Sequence, residues 1–348
     1  MLSNNSFALN TTYTIVNKEF NLVFDIESLS NGSPILLRLP NSKKNQQFIC
    51  FKLDGGLYTI ANQQSGKIID LRGFTNSYTL VQNIWNGQSS QIWYVNNSNI
   101  PEPYYKITNQ QNGKVAQSMN DSHDMNPYVT LTSWNGKDEQ QWHFIPKDSI
   151  EFPNIPEKQP LPNPPEYFSN PYEVLPLQTT PVIIAFAFLP CIFVQDNEWD
   201  HQTKIQHSPY YTFVKEQYWE RIDSTTLEPG QTNTFQYKTG IKTTDQQSMM
   251  NTIGMSIGAD LGFQFNQTSI KIHTQFLSAL EATKSTTSEQ LSETTITDSI
   301  TNTKPTKIGI TKYQLITRYS LLRTDDSLVT EPWKISDHFT TKNRSITG

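Results

Sequence analysis

The chain has 348 residues, of which 35% are hydrophobic and only 17% are charged. At roughly 100–200 residues per domain this length predicts two domains, and the low charge favours β-structure over long salt-bridged helices, so we predict an all-β protein. The formal net charge is −5, which provides no basic surface for phosphates and excludes nucleic acid as a partner.

The N-terminus and the cysteines bear on export, disulfide bonding and metal binding. Residues 1–10 contain neither a basic segment nor an apolar run, so we expect no N-terminal signal peptide. Cys50 and Cys191 are far apart in sequence, which argues against a disulfide framework or a zinc site. We expect two free buried thiols, no cofactor and no metal.

Residues 1–150 contain a threefold repeat. The triplets Gln46-Gln47-Phe48, Gln91-Ile92-Trp93 and Gln140-Gln141-Trp142 recur at spacings of 45 and 49 residues. Each repeat has short alternating apolar runs between Asn, Gly and Ser turns, so one repeat alone could not bury its apolar face. The three repeats must therefore share one core.

These triplets resemble the Q-x-W signature of ricin-B-type lectins, which implies a β-trefoil carbohydrate-binding domain over residues 1–150. The resemblance places the sugar-binding residues of the second repeat at Asp70, Asn83, Trp85 and Gln91. A carboxylate and amides bind hydroxyl groups, while an indole face covers the apolar side of a sugar ring. On this prediction Trp85→Ala abolishes glycan binding and leaves the melting temperature almost unchanged.

The other two repeats match this pattern less fully. The third repeat keeps Trp134 but has Gln117 at the position equivalent to Asp70, which we call the acid position. It therefore predicts a half-site, with the aromatic residue but without the carboxylate. The first keeps Asp25 but has Arg38 and Pro40 where the aromatic belongs, and it is expected to be degenerate. Packing of both tryptophans against neighbouring strands remains an alternative at this point.

A proline-rich segment marks the domain boundary. Residues 151–181 contain nine prolines, which exclude a helix and predict an extended linker before a β-rich domain at 182–348. Residues 182–194 are an apolar run interrupted by Pro190, too short for a spanning helix, and they predict a buried strand.

Residues 189–194, 203–211 and 215–221 follow one another in an order that resembles the Bin-type (Tpp) insecticidal crystal toxins. Together with the trefoil, the resemblance covers nearly the whole chain. It implies an elongated aerolysin-like β-domain, deposition in a parasporal crystal, and a non-enzymatic pore-forming function. A glycan receptor (glycolipid or glycoprotein) on gut epithelium, homo-oligomerisation on the target-cell membrane, insertion of a β-barrel and a second toxin protein as partner are further implications.

An alternating segment follows at 253–265, where seven successive odd positions are apolar. A loop at 266–269 and apolar even positions after it predict a hairpin with one apolar and one hydrated face. Its thirteen residues exceed the 9–11 that a membrane-crossing strand needs, although sandwich strands also alternate. The predicted membrane-insertion residues are Ile253, Met255, Ile257, Leu261, Phe263, Phe265, Ile270, Ile272 and Phe276.

Residues 283–303 include twelve Ser or Thr and predict an extended, weakly packed strand. This composition suits a module that rearranges, and it suits an ordinary solvent-facing strand equally well.

Enzymatic alternatives have weaker support. Gly254-Met255-Ser256-Ile257-Gly258 matches a hydrolase G-x-S-x-G pattern, but it lies within the alternation rather than at a strand-to-helix turn. The acidic residues from Asp196 to Asp200, with His201 and His207, match no known metal-ligand spacing and predict a solvated loop. A glycoside hydrolase with an appended lectin, or a lectin that does not lyse cells, remains open because a fold alone cannot exclude either.

Overall fold

The computed structural model describes residues 7–74, 77–97, 101, 103–119 and 127–347, and part of the segment 1–10 discussed above lies outside them. Strands dominate, as predicted. The chain forms two compact units. The first comprises Met1–Pro153, Leu189–Tyr211 and Asn266–Gln275, and the second comprises Asn154–Phe188, Thr212–Phe265 and Phe276–Gly348.

The first unit contains a β-trefoil, which confirms the repeat-based prediction. Its strands join one antiparallel network, in which Thr11–Asn17 pairs with both Trp142–Ser149 and Phe48–Lys52, and Tyr58–Asn62 pairs with Trp93–Asn96. The strands are β1 Thr11–Asn17, β2 Val23–Ile26, β3 Ser33–Arg38, β4 Phe48–Lys52, β5 Tyr58–Asn62, β6 Ile68–Phe74, β7 Ser77–Asn83, β8 Trp93–Asn96, β9 Tyr104–Asn109, β10 Val115–Met119, β11 Tyr128–Thr132 and β12 Trp142–Ser149.

The triplet aromatics form the centre of this unit. Phe48, Trp93 and Trp142 are each 0% exposed and belong to one apolar cluster. The Trp142 indole N–H donates to the Ala116 carbonyl at 2.9 Å, and Trp93 donates to Ile69 at 3.3 Å. A buried indole usually needs such a partner, so the threefold spacing reflects the core rather than a binding face.

A second threefold set was missed by the sequence reasoning. Asn17, Asn62 and Asn109 end equivalent strands, are almost fully buried, and accept backbone N–H bonds from the turns that follow. An Asn side chain that caps its own turn substitutes for backbone pairing that the turn cannot make. Their spacing of 45 and 47 residues was the available signal.

The segment Leu189–Tyr211 contains helix α1 His201–His207. The Asp200 carboxylate accepts the Thr203 N–H at 2.7 Å and caps the helix, while Asp196 accepts the Tyr211 hydroxyl at 3.0 Å. The prediction of a solvated loop holds for Glu198 and Asp200, which are exposed, but it is wrong for Asp196, which is buried, and for His201 and His207, which lie in the helix. The buried Lys204 amine donates to the Val194 carbonyl at 2.6 Å.

The second unit is built on a six-stranded antiparallel sheet. Its strands are β13 Val182–Pro190, β14 Tyr210–Leu227, β15 Thr232–Ile241, β18 Thr294–Thr301, β19 Ile308–Leu322 and β20 Trp333–Thr347, in the order β13-β14-β19-β20-β15-β18. We refer to residues 242–293, which connect β15 to β18, as the insert, and its residues Asn266–Gln275 belong to the first unit. The insert contains α2 Thr243–Ile253, β16 Met255–Ile257, β17 Phe263–Phe265 and α3 His273–Leu280.

The proline-rich segment contains no helix, and from Asn154 onwards it belongs to the second unit. The Trp219 indole N–H donates to the Pro162 carbonyl at 2.8 Å, and the Tyr313 hydroxyl donates to Pro176 at 2.7 Å. Leu175 is buried with Trp219 and Tyr313 in one apolar cluster. The segment therefore contributes to a core.

The helices and the two cysteines agree with the sequence. Across the described residues, no helix is long and apolar enough to cross a membrane. Cys50 and Cys191 are both free and buried, as expected, and burial raises the pKa of the Cys191 thiol to about 12.

Candidate functional site

Each trefoil repeat contains the same buried polar cluster. The triplet glutamine donates from its amide nitrogen to the residue at the acid position and to a nearby backbone carbonyl, and its amide oxygen accepts a backbone N–H. All three glutamines are at most 1% exposed. The donor and acceptor pairs are Gln46 with Asp25, Gln91 with Asp70, and Gln140 with Gln117.

In the second repeat the structure brings together three of the predicted sugar-binding residues. One oxygen of Asp70 accepts from Asn83 at 3.0 Å and from Gln91 at 3.1 Å. Its other oxygen accepts the Leu71 N–H at 2.7 Å. Asp70 is 5% exposed, so its carboxylate is largely engaged inside the protein.

Trp85 lies in the same repeat but is covered. Its side chain is 9% exposed, and its ring meets Phe193 edge-on with the centroids 5.6 Å apart. The indole nitrogen is buried without a hydrogen-bond partner among the described residues. A Cβ at Gly87 would lie 3.0 Å from the Gln267 carbonyl oxygen, so the chain approaches closely there as well.

The expected stacking surface on Trp85 is therefore wrong for this conformation, and the alternative of a packed hairpin aromatic describes it better. The physical reason is that Leu189–Tyr211 and Asn266–Gln275 belong to the trefoil's unit and lie against this repeat. Sequence alone assigned both segments to a separate domain.

Trp134 in the third repeat is partly exposed. The Lys106 amine lies 5.0 Å from its ring centroid, a cation–π distance. Gln117 accepts from Thr132 and from Gln140, so polar side chains of this repeat form the same cluster as the acid-containing repeats. The predicted half-site thus combines a partly exposed indole, with the Lys106 amine over its ring, with amide and hydroxyl groups.

The first repeat has the polar cluster without an aromatic. Asn45 and Gln46 both donate to Asp25, at 2.9 Å and 2.6 Å. Arg38 pairs with Glu27 at 3.0 Å on the surface. With no indole face available at this position, the described geometry provides amide and carboxylate chemistry alone.

In the present conformation residues 253–265 do not form the continuous thirteen-residue strand expected for the hairpin. Ile253 ends α2, Gly254 takes a left-handed φ of 68° that terminates the helix, and only Met255–Ile257 and Phe263–Phe265 are strands. Met255 faces Phe265 and Ile257 faces Phe263, not the partners expected across residues 266–269. Ile270 and Ile272 lie in a 3-10 turn and Phe276 lies in α3.

The local reason for this difference is a tight turn between the short strands. Leu261 adopts φ 64°, and the Asp260 carboxylate accepts the Thr286 N–H at 2.8 Å and the Gly262 N–H at 3.2 Å. These bonds lower the pKa of Asp260, the Thr286 N–H being the largest cause. A period-two pattern cannot reveal such a side-chain bond to a residue distant in sequence.

The apolar residues of the insert are nonetheless buried together. Phe263 and Phe276 are each 1% exposed, and their ring centroids lie 5.4 Å apart. Phe213 of β14 packs on both, at 6.3 Å and 5.2 Å. Phe263 and Phe276 of the predicted apolar face therefore pack on the sheet of the second unit, while Leu261 is 37% exposed in the turn.

The G-x-S-x-G residues do not form a turn from a strand into a helix. Ser256 is 0% exposed in β16, which follows a helix instead of preceding one, and its hydroxyl contacts Gln264 at 3.0 Å and Gln290 at 3.3 Å. Within the described part of the chain, no three His, Cys, Asp or Glu side chains are grouped so as to hold a metal.

Comparison with known proteins finds relatives for both the N-terminal and the C-terminal parts of the chain. A family described as Insecticidal Crystal Toxin, P42 matches residues 182–346, and a Ricin-type beta-trefoil lectin domain-like family matches residues 44–100 and 89–154. The binary larvicide subunit BinA of Lysinibacillus sphaericus is 30% identical over 331 residues, covering 93% of this chain and 87% of the relative. The chain belongs to this family of insecticidal crystal toxins.

Two further relatives support the family assignment and the fold. Binary larvicide subunit BinB of the same organism is 25% identical over 86% of this chain and 69% of its own length. The crystal structure of Cry35Ab1 superposes with a TM-score of 0.82 over 97% of this chain and 90% of that chain, at 23% identity. The resemblance to Bin-type toxins and to ricin-B-type trefoils is thus confirmed.

Proposed function

We propose that this chain is an insecticidal toxin that recognises a glycan through its trefoil, oligomerises on the target-cell membrane and opens a pore without catalysing a reaction. Membership of a family whose relatives are named as larvicides and crystal proteins supports the toxin assignment. Because two relatives are named as subunits of a binary larvicide, the proposal includes a partner protein. Because the matching family and a further relative are named as crystal proteins, it also includes deposition in a crystal.

The position of the insert carries the pore proposal. It connects β15 to β18, which are adjacent antiparallel strands at one edge of the sheet. A segment between neighbouring strands can leave the sheet and lengthen their hairpin while the existing ladder stays paired. If another strand lay between β15 and β18, the insert could not extend them as one hairpin.

The register of β15 and β18 supports the same conclusion. Thr232 faces Thr301 and Thr239 faces Thr294, so each step forward on β15 matches one step back on β18. Continued through the insert, this register places Phe263 opposite Ile270, Ile257 opposite Phe276 and Ile253 opposite Leu280. The new turn then falls at residues 266–267, which include the turn-favouring Asn266.

One face of the extended hairpin would be mainly apolar. All odd positions 253–265 are apolar. Of the even positions that face them, 270, 272, 276 and 280 are apolar, whereas Thr268, Thr274 and Ser278 carry small hydroxyl side chains. The alternation of thirteen residues is longer than the 9–11 needed to cross the hydrocarbon core. Residues 253–276 thus remain the proposed membrane segment, through a rearrangement of the present conformation.

The energy of this change explains why it would need a membrane. Exposing a buried Phe, Ile or Met side chain to water costs about 1.5–3 kcal/mol, and several of the insert's apolar residues are at most 1% exposed. Transfer of the same face to lipid offsets that cost. The buried form is therefore favoured in water, and the extended form is favoured at a bilayer.

A pair of engineered disulfides tests the proposal. Ser256 faces Gln264 in the present conformation but would face residue 277 in the extended hairpin, so Ser256→Cys with Gln264→Cys locks the insert. Gln236 faces Thr297 in both states, so Gln236→Cys with Thr297→Cys is the matched control. Native Cys50 and Cys191 are buried in both variants.

The measurement is dye release from vesicles prepared with lipids and glycoproteins of larval gut membranes. We expect the locked variant to bind these vesicles but release at least tenfold less dye, and dithiothreitol to restore release. The control should release dye whether oxidised or reduced. Dye release by the oxidised locked variant equal to that of the control would refute the hairpin. The glycan step is tested separately, by whether Trp134→Ala loses binding to the vesicles.

A further inference from the structure

The sheet of the second unit has two differently occupied faces. Phe213 and Tyr319 stack with centroids 5.2 Å apart on the face that packs against the insert. Because side chains alternate along a strand, the intervening residues of β14 and β19 point to the opposite face. Val214 faces Ser320 there, and Glu216 faces Arg318.

A cavity of about 500 Å³ lies on this opposite face. Such a volume is within the range of about 300–1,000 Å³ that small-molecule sites occupy. Its walls come from the sheet, from the start of the proline-rich segment and from the turn after β19. The apolar side chains lining it are Pro156, Ile183, Val214, Leu322, Leu328 and Pro332.

The polar groups of the cavity carry both signs of charge. Arg318 donates from Nε and Nη2 to the two oxygens of Glu216, at 2.8 Å and 3.0 Å. Within the described part of the chain, Arg318 bonds only to Glu216 through these two nitrogens, which leaves its third nitrogen, Nη1, as a donor for a ligand. Asp326 also lines the cavity, is exposed, and accepts a long 3.4 Å bond from Asn154.

We propose that this cavity binds a single-chain amphiphile with a zwitterionic head group, such as a lysophospholipid. The apolar walls take the acyl chain, Arg318 Nη1 donates to the anionic part of the head, and the Asp326 carboxylate attracts the cationic part. The three charged side chains sum to one negative charge, which disfavours a head that is only anionic. This ligand is distinct from the glycan and does not depend on the proposed pore.

The test is isothermal titration of the full chain with palmitoyl-lysophosphatidylcholine below its micelle concentration, alongside palmitate and dodecyl maltoside. We expect one equivalent of lysophospholipid, with palmitate and the maltoside each binding at least tenfold more weakly. Equal or tighter binding of either comparison ligand would overturn the head-group assignment. Absence of lysophospholipid binding would overturn the site.

Two variants locate the binding. Leu328 is 46% exposed, so Leu328→Glu puts a charge on the apolar wall with little risk to folding, and it should abolish binding. Leu177→Glu, at a residue 67% exposed and outside the cavity lining, should bind like wild type. Asp326→Asn should weaken lysophospholipid binding and strengthen palmitate binding. Unchanged affinities in Leu328→Glu and Asp326→Asn would place the ligand elsewhere and refute the proposal.

Discussion

The carboxylate of Asp54 accepts the backbone N–H of Thr274 at 2.8 Å, although the two residues are 220 positions apart in the chain. It also accepts the Gln275 N–H at 3.2 Å and contacts the His273 ring at 3.0 Å. The first turn of a helix has N–H groups without intrahelical partners. Asp54 therefore caps α3 from a loop of the trefoil.

Loss of this cap should loosen the segment Asn266–Gln275. Removing a capping side chain costs about 1 kcal/mol, and Asp54→Ala should lower the free energy of unfolding by about 1–2 kcal/mol. Hydrogen exchange should rise at residues 266–280 and stay unchanged in the rest of the trefoil. Glu27→Ala, which removes an exposed ion pair, is the control. Unaltered exchange at 266–280 would mean that the cap does not hold the segment.

The triplet glutamines should matter for stability. Gln91→Ala removes the side-chain partner of the Ile84 carbonyl and of the Asn86 N–H, and it removes one of the three hydrogen bonds that the Asp70 carboxylate accepts. Each unsatisfied buried group costs about 1–3 kcal/mol, so we expect a loss of about 3 kcal/mol in urea unfolding.

The equivalent Gln140→Ala should show a similar loss of stability because its bonds repeat those of Gln91. Gln88→Ala, at an exposed position of the same loop, should change stability by less than about 0.5 kcal/mol. A Gln91→Ala variant as stable as wild type would show that water replaces the lost bonds.

The two hairpin tryptophans should separate binding from stability. Trp134→Ala should abolish binding to a glycan-coated surface and hardly change the melting temperature, because the ring is partly exposed. Trp85→Ala should instead cost about 3 kcal/mol, because its ring is 9% exposed and packed on Phe193. Glycan arrays and thermal unfolding of both variants check this contrast, and loss of binding in Trp85→Ala alone would reverse it.

The sequence predicted the features that repeat along the chain or that lie within a single repeat. The trefoil followed from three in-phase triplets, and the clustering of Asp70, Asn83 and Gln91 followed from their positions within one repeat. The cover over Trp85 could not be predicted, because Phe193 lies about a hundred residues away. The insert was misread for a related reason: apolar residues at odd positions satisfy a strand, but distant bonds to Asp54 and Asp260 stabilise a helix and a tight turn there.

His201 at the start of α1 provides a pH-dependent prediction. Its pKa is lowered, chiefly because burial disfavours the charged imidazole, and the positive charges of Lys204 and Lys67 act in the same direction. Asp200 opposes them more weakly. The folded protein therefore binds a proton at this site less readily than the unfolded chain does.

The sign of the effect follows from this difference. The unfolded histidine titrates near pH 6.5, so the stability linked to His201 is complete above that pH and is lost as the pH falls towards the lower folded pKa. His201→Gln cannot take up this proton, and its stability should decline less than that of wild type between pH 7.5 and 5. Urea unfolding at both pH values measures the difference, with Gln202→Ala on the same helix as control. Parallel pH profiles for wild type and His201→Gln would show that desolvation of this imidazole does not contribute to acid sensitivity.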